Sequence, residues 1–169
     1  MSKARVRRAR FGDEEGIHLA HMKSIKEVCS NDYTEEQINA WGGRAFNFES
    51  KRNLIENHYV WVVELEEAIE GYGLLFIDTA ISIESDKSKK AEIGGLYLTP
   101  GVLGQGLGHI IINEMKEVVT SLGLKEIYLS STKTSKKFYE KQGFWQYEED
   151  DSTPIGGVPV EGHPMKIEL

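Results

Sequence analysis

The stretch 91–108 constrains the fold of this chain more than any other. Residues 91–99 read as a strand, yet Gly94-Gly95 stand in its interior, where glycine weakens pairing and marks a bulge or a close backbone approach. Pro100 and Gly101 end the strand, and Gly104, Gly106 and Gly108 follow at alternate positions. A helix opens directly after them. Its Ile111, Met115, Val118 and Leu122 fall on one stripe, and Gly123 is a natural C-terminal cap. Residues 124–130 make the next strand. A strand, helix, strand run of this length implies a right-handed parallel crossover between 91–99 and 124–130.

The rest of the chain supplies antiparallel neighbours, so the sheet is mixed. A first strand places Val6 inward and Arg5, Arg7, Arg8 and Arg10 outward. The same arginines could form a nucleic-acid arm, but the remaining sequence carries no basic surface to support one. Asp13 is a plausible N-cap for a helix on which Ile17, His21, Ser24 or Ile25, and Val28 share a face. Thr34 and Gln37 form a capping-box pattern at the start of a helix over 34–41. Gly42-Gly43 ends it, and a third helix covers 50–57. Tyr59-Val60-Trp61-Val62-Val63 is a strand by composition. Glu66-Glu67 turns the chain and 69–77 returns as its partner. Residues 84–90 form a polar loop, 135–142 a short helix capped by Gly143, and 144–148 and 160–167 two closing strands.

Composition bounds what such a fold does. At 169 residues, with no internal repeat, one domain spanning 1–169 is expected. Apolar residues are 40% and charged residues 28%, which excludes a largely disordered chain. Twenty Lys and Arg against 27 Asp and Glu give a net charge of −7, which disfavours a phosphate-backbone binder and suits a cationic partner. Cys29 is the single cysteine, so neither an intrachain disulfide nor a cysteine metal cluster can form. No run approaches the ~18 apolar residues of a membrane helix. The opening Met-Ser-Lys-Ala-Arg-Val-Arg-Arg-Ala-Arg lacks the apolar core of a secretory signal. The expectation is a cytoplasmic protein, monomer or homodimer, with no nucleic-acid or membrane partner and no metal.

The glycine-studded loop carries chemistry of its own. Without Cβ atoms its turn aims successive backbone N–H groups into one concavity, and the helix start adds partial positive charge. Such a site holds phosphate without a basic side chain. A P-loop needs Gly-Lys-Ser or Gly-Lys-Thr, whereas Leu107-Gly108 follows Gly106. A dinucleotide fingerprint needs Gly-x-Gly-x-x-Gly, and Gly108 is out of that register.

Two segments resemble the GNAT superfamily of acetyl-CoA-dependent N-acetyltransferases. Leu103-Gly104-Gln105-Gly106-Leu107-Gly108 is similar to the family's cofactor loop, with Leu103 where Arg or Gln is usual. Lys137-Phe138-Tyr139-Glu140-Lys141-Gln142-Gly143-Phe144 resembles its second hallmark. Their order and spacing also fit. The resemblance implies an α/β (α+β) fold with a mostly antiparallel sheet of about seven strands, helices on both faces, and a splayed parallel pair, 91–99 and 124–130. It implies that the amides of Leu103, Gly104, Gln105, Gly106, Leu107 and Gly108, with His109 beside them, hold the diphosphate of acetyl-CoA. The backbone near Leu98 would pair with the pantetheine arm, and a bulge at Gly94-Gly95 would open the V that receives it. Thr132 stands where the family often has Asn, so a weaker hydroxyl contact is expected there.

The chemistry follows from pKa values. An amine with a pKa near ~10 must lose a proton before it attacks a thioester, and the departing thiolate needs a donor. Tyr139 stands at the family's general-acid position, and Glu92 is the candidate base, acting directly or through water. An N–H near Leu98 could stabilise the oxyanion. The acceptor is expected to be a small primary amine, with a peptide N-terminus or lysine as the alternative, recognised by the helices of 13–57 and the turn at Glu66-Glu67; Asp32, Tyr33, Glu35, Glu36 and Trp41 offer carboxylates and aromatics for it, or equally form a packed helix with a solvated acidic face. An acyl-CoA-sensing module without turnover is the alternative. His163 is an outside base candidate. His18 and His21 lack a third ligand, Ser130-Ser131-Thr132-Lys133 matches Ser-x-x-Lys without its partner motifs, and Cys29 has no activating neighbour in sequence.

Overall fold

The computed structural model describes residues 3–78 and 89–169; the polar loop expected at 84–90 falls, up to residue 88, outside them. Elements in chain order are β1 (Arg5–Arg8), α1 (Glu14–Val28), α2 (Glu35–Gly42), α3 (Phe48–Asn57), β2 (Tyr59–Leu65), β3 (Ala68–Asp78), β4 (Lys90–Leu98), α4 (Leu107–Ser121), β5 (Glu126–Ser131), α5 (Lys136–Lys141), β6 (Trp145–Gln146), β7 (Asp151–Ile155) and β8 (Val158–Glu168). The sheet order is β1-β2-β3-β4-β5-β8-β6, with β7 paired to β8. Every pairing is antiparallel except β4 with β5.

Helices cover both faces, which is why residues 59–63 of β2 are an unbroken apolar run. Trp61, Val63, Leu75, Ile93, Ile127, Leu129 and Met165 pack with Ile111 and Met115 of α4. Val60, Val62, Tyr72 and Leu74 pack with Ile17 of α1 on the other face. No helix among the described residues is long and apolar enough to cross a membrane.

Local signals hold where the chemistry is local. The capping box forms as the spacing predicts: the Thr34 hydroxyl accepts from the Gln37 N–H and the Gln37 side chain accepts from the Thr34 N–H. Gly123 and Gly143 take φ of 73° and 95° and close α4 and α5. Elsewhere tertiary contacts redirect the chain. Asp13 sits at the N-cap of α1 but makes no capping bond; its carboxylate is taken by Arg7 at 2.7 and 2.9 Å and by the Arg10 N–H. Arg7 is therefore drawn inward, and with Arg5 it also binds Glu64. The α4 stripe shifts as well. Ile111, Ile112, Met115 and Val119 are fully buried, whereas Leu122 lies past the helix end and is 42% exposed. The strand expected over 144–148 shrinks to β6. An additional strand, β7, turns into β8 through Gly156-Gly157 at φ 58° and 79°, a tight-hairpin signal that the glycine pair carries in sequence.

The feature that positions the site is in β4. Leu74 of β3 faces Gly95 while the adjacent Leu75 faces Ile93, so Gly94 is the extra residue of a bulge. A Cβ at Gly94 would collide with the Phe76 ring. The parallel ladder spans only Ala91, Glu92 and Ile93 against Ile127, Tyr128 and Leu129. Beyond the bulge the strands part.

Candidate active site

Where β4 and β5 part, a narrow gap of about 40 Å³ opens between Gly94, Gly95 and Leu96 on one side and Ser130, Ser131 and Thr132 on the other. It adjoins a largely apolar groove of about 170 Å³ bounded by Ser24, Val28 and Cys29, by Leu98 and Leu103, and by Phe138 of α5. Tyr97, Thr132, Ser135 and Tyr139 line both.

The β4 backbone presents unpaired groups to this space. The Thr99 N–H donates to the Glu70 carbonyl at 2.9 Å. Alternation along the antiparallel ladder then turns the N–H and C=O groups of Leu98 and Leu96 away from β3, toward the side that β5 has left. The Leu98 carbonyl is taken by the Ser24 hydroxyl at 2.9 Å, which leaves its N–H facing the opening.

The loop after β4 leads into α4 with Gly104 and Gly106 at φ 74° and 77°, a conformation L side chains resist. No side chain caps α4. The Ile110 N–H is the first to find a helical partner, the Gly106 carbonyl at 3.1 Å, so those of Leu107, Gly108 and His109 stay bare. Gly108 lets this first turn approach α5, since a Cβ there would lie 3.0 Å from the Phe138 ring. The His109 ring is tied to Gln142 at 2.6 Å and Asn113 at 3.0 Å; only its amide faces the loop's task. Gln105 folds back to donate to the Gly101 carbonyl. The Thr132 hydroxyl accepts from the Ser135 N–H at 3.1 Å and pairs with the Ser135 hydroxyl at 2.7 Å, so it shapes the turn into α5 while lining the groove.

Tyr139 is 4% exposed and wedged edgewise against Phe138 and Phe144. Burial pushes its phenol well above the usual range, which keeps the proton in place. Its hydroxyl has no hydrogen-bond partner among the described residues. Ser131 and Tyr97 also line the gap, and sequence reading assigned neither a role. Ser131 is 1% exposed with an unpartnered Oγ, and the Tyr97 phenol is pushed well above its usual range by burial and by Tyr72 nearby. In sequence Ser131 stood only in the Ser130-Ser131-Thr132-Lys133 match, and Tyr97 only within the strand 91–99.

Glu92 is not in the gap. It faces an adjoining cleft of about 390 Å³ with Tyr128, Tyr147 and the acidic run 148–151. Ser130 lines both spaces, so the two candidate catalytic residues stand on either side of one junction.

The remaining candidates are structural. His163 is held by Asp150 at 2.6 Å, and that pairing together with Gln146 keeps the Asp150 carboxyl below its usual range. His21 contacts the Tyr72 hydroxyl at 3.1 Å, and its ring lies tilted against that of Tyr97 with centroids 4.2 Å apart. Burial, Arg44 and Lys51 hold it well below the usual histidine range. Among the described residues no three His, Cys, Asp or Glu side chains converge as metal ligands. Cys29 lines the groove, but burial raises its thiol. Tyr33 and Trp41 are core residues, the Tyr33 hydroxyl donating to the Glu161 carbonyl, and burial pushes that phenol to about 12. The Glu66-Glu67 turn lies away from the gap: Glu67 borders a separate depression of about 650 Å³ at the β1 edge, where Arg5 and Arg7 are paired with Glu64 and Asp13.

Known proteins share this architecture. The sequence model of the acetyltransferase (GNAT) family matches residues 23–144. Among curated proteins none matches at a significant level. A GCN5-related N-acetyltransferase from Rhodopseudomonas palustris superposes with a TM-score of 0.83 at 18% identity, covering 100% of this chain and 98% of that one. The PaiA N-acetyltransferase of Thermoplasma acidophilum, solved with coenzyme A, gives 0.75 at 20% identity over 99% of both chains. The yncA protein of Salmonella typhimurium, solved with its cofactor acetyl-CoA, gives 0.64 at 17% identity, covering 99% of this chain and 95% of that one.

Proposed function

The chain belongs to the acetyltransferase (GNAT) family, and from that premise we propose that it acetylates the primary amine of a small molecule, by direct attack within a ternary complex. The observation that carries this reading is the gap itself: a buried, unpartnered Tyr139 hydroxyl in a bulge-opened V, beside a helix start whose amides are bare.

The residues fit the cosubstrate. The orphaned Ser131 Oγ and the edge groups of Leu96 and Leu98 are polar atoms that a pantetheine arm would satisfy. The glycine turn leaves the space beside Gly101, Gly104 and Gly106 open, where the amides of residues 103–108, with His109, would hold a diphosphate. Leu103 adds an apolar side chain at the groove rim; backbone recognition does not depend on it. Bound acetyl-CoA supplies an acyl group activated as a thioester.

The protein's own part is to orient, donate and accept. The Leu98 N–H would donate to the carbonyl oxygen as it gains negative charge. Tyr139, kept protonated by burial, would give its proton to the leaving sulfur. Glu92 would take the proton of the incoming ammonium; its place in the adjoining cleft favours transfer through water at the Ser130 junction. The buried free thiol of Cys29 accords with a reducing, cytoplasmic setting.

Purified protein assayed for free-CoA release over a panel of amines tests the reading, with Tyr139→Phe alongside and calorimetry for coenzyme A. The variant is expected to keep its affinity for coenzyme A and to lose about 10²–10⁴ in kcat. Unchanged turnover removes Tyr139 from the chemistry, and no heat of coenzyme A binding to the parent overturns the function.

A further inference from the structure

Past Ile93 and Leu129 no ladder joins β4 to β5, so the sheet itself does not set the width of the groove that opens there. One wall belongs to the first half of the sheet. Here α1 packs through Ile17 on β2 and β3, and its Ser24 hydroxyl holds the Leu98 carbonyl at 2.9 Å, with Val28 and Cys29 beside it. The other wall is the turn between β5 and α5, which presents Thr132, Thr134 and Ser135 ahead of Phe138 and Tyr139.

Asp32 and Tyr33, just past α1, span the two. The Asp32 carboxylate accepts from the Thr134 hydroxyl at 2.8 Å. The Tyr33 hydroxyl accepts from the Lys133 N–H at 2.8 Å and donates to the Glu161 carbonyl of β8 at 2.9 Å, so both of its bonds end on the far half of the sheet. The Tyr33 ring is buried with Met22, Ile25 and Cys29 and stands edge-on to Trp41, which holds the phenol in place.

The bond to Lys133 reaches the site through backbone alone. The Lys133 N–H and the Thr132 carbonyl are the two ends of one planar peptide unit. Tyr33 holds the N–H, the Thr132 carbonyl takes the Ser135 N–H at 3.2 Å, and the Ser135 carbonyl takes the Tyr139 N–H at 3.1 Å. Three hydrogen bonds in series thus run from Tyr33 to the backbone of Tyr139.

Resting on the acetyl-transfer reading above, we propose that Tyr33 is a positioning residue for this site: by pinning the 132–133 peptide from across the open seam, it fixes the spacing of the coenzyme groove and the aim of the Tyr139 hydroxyl. Tyr33 itself lines neither the groove nor the gap. Its effect passes through the turn, where a displacement of about 1 Å is enough to cost up to about 10²-fold in a reaction that depends on alignment.

Calorimetry with coenzyme A, free-CoA release with the most active amine of the panel, and thermal unfolding test this on the intact protein. Tyr33→Phe keeps the ring and loses the hydroxyl; it is expected to weaken coenzyme A binding about fivefold and to lower kcat about tenfold. Asp32→Ala, at an exposed position, frees Thr134 and should weaken binding about twofold, a readout that stands even if Tyr33→Phe does not fold. Gln37→Leu is the control. Gln37 binds the Pro159 carbonyl and the Glu161 carboxylate of β8 and no atom of the 132–135 turn, so its loss should lower Tm and leave affinity and kcat unchanged. Unchanged affinity in both Tyr33→Phe and Asp32→Ala, or an equal loss in Gln37→Leu, overturns the proposal. Affinity lost only in Tyr33→Phe and Asp32→Ala, with no CoA released from any amine, leaves the groove assignment standing and removes the acetyl-transfer reading instead. A parent that binds no coenzyme A overturns both.

Discussion

At the scale of single residues, burial decides protonation. Tyr139 and His21 illustrate opposite signs of one effect: burial disfavours charge, so a phenol keeps its proton and an imidazole refuses one. For His21 the native state stays neutral below pH 6.5 while the unfolded chain takes up a proton there. The unfolded state then binds more protons, so stability is full above about pH 6.5 and falls as acid is added, by about 1.4 kcal/mol per pH unit for one such group. Urea unfolding at pH 7.5 and 5.5 checks this. His21→Gln, which can still bond Tyr72 but does not titrate, is expected to be weaker at pH 7.5 and to show a flatter pH dependence. An equal slope in parent and variant would assign the acid sensitivity elsewhere. Histidines at 18 and 21 read from sequence only as a helical pair; Arg44 and Lys51, which with burial lower both, come from other elements of the chain.

At the scale of elements, the loop between β4 and α4 does its work through backbone shape. Gly106 holds φ of 77° at the cap of α4 with no side chain near its missing Cβ, so an alanine there meets conformational strain and no clash. Gly106→Ala is expected to cost about 1 kcal/mol of stability. It should also weaken coenzyme A binding, because relaxation of φ re-aims the amides of Leu107 and Gly108. Calorimetry beside thermal unfolding separates the two effects, and unchanged affinity would show that the loop does not bind through its backbone. The loop was legible in sequence because its glycines are themselves the signal. The acidic run 148–151 was not, since exposed carboxylates before a hairpin look the same whether they edge a cleft or open water.

At the scale of the whole molecule, the sheet is nearly two halves joined by three residue pairs of parallel ladder between β4 and β5. A ligand bridging the open part of that seam stabilises the native state alone. Coenzyme A at a hundred times its Kd is expected to add about 2.7 kcal/mol, which for a domain of this size raises Tm by roughly 5–10 °C. Hydrogen exchange should slow at residues 94–98 and 129–131; an unchanged Tm would mean that the seam is not bridged. The sequence by itself determined the Thr34 capping box, the closing glycines of α4 and α5, the bulge glycines and the bare helix start, because each depends on a few adjacent residues and their backbone freedom. Only the tertiary structure decided that Glu92 faces a cleft apart from Tyr139, that Arg7 turns inward to Asp13 and Glu64, and that Ser131 is buried without a partner. Those outcomes depend on which strand lies beside which, and the side-chain pattern of one strand carries no record of its neighbour.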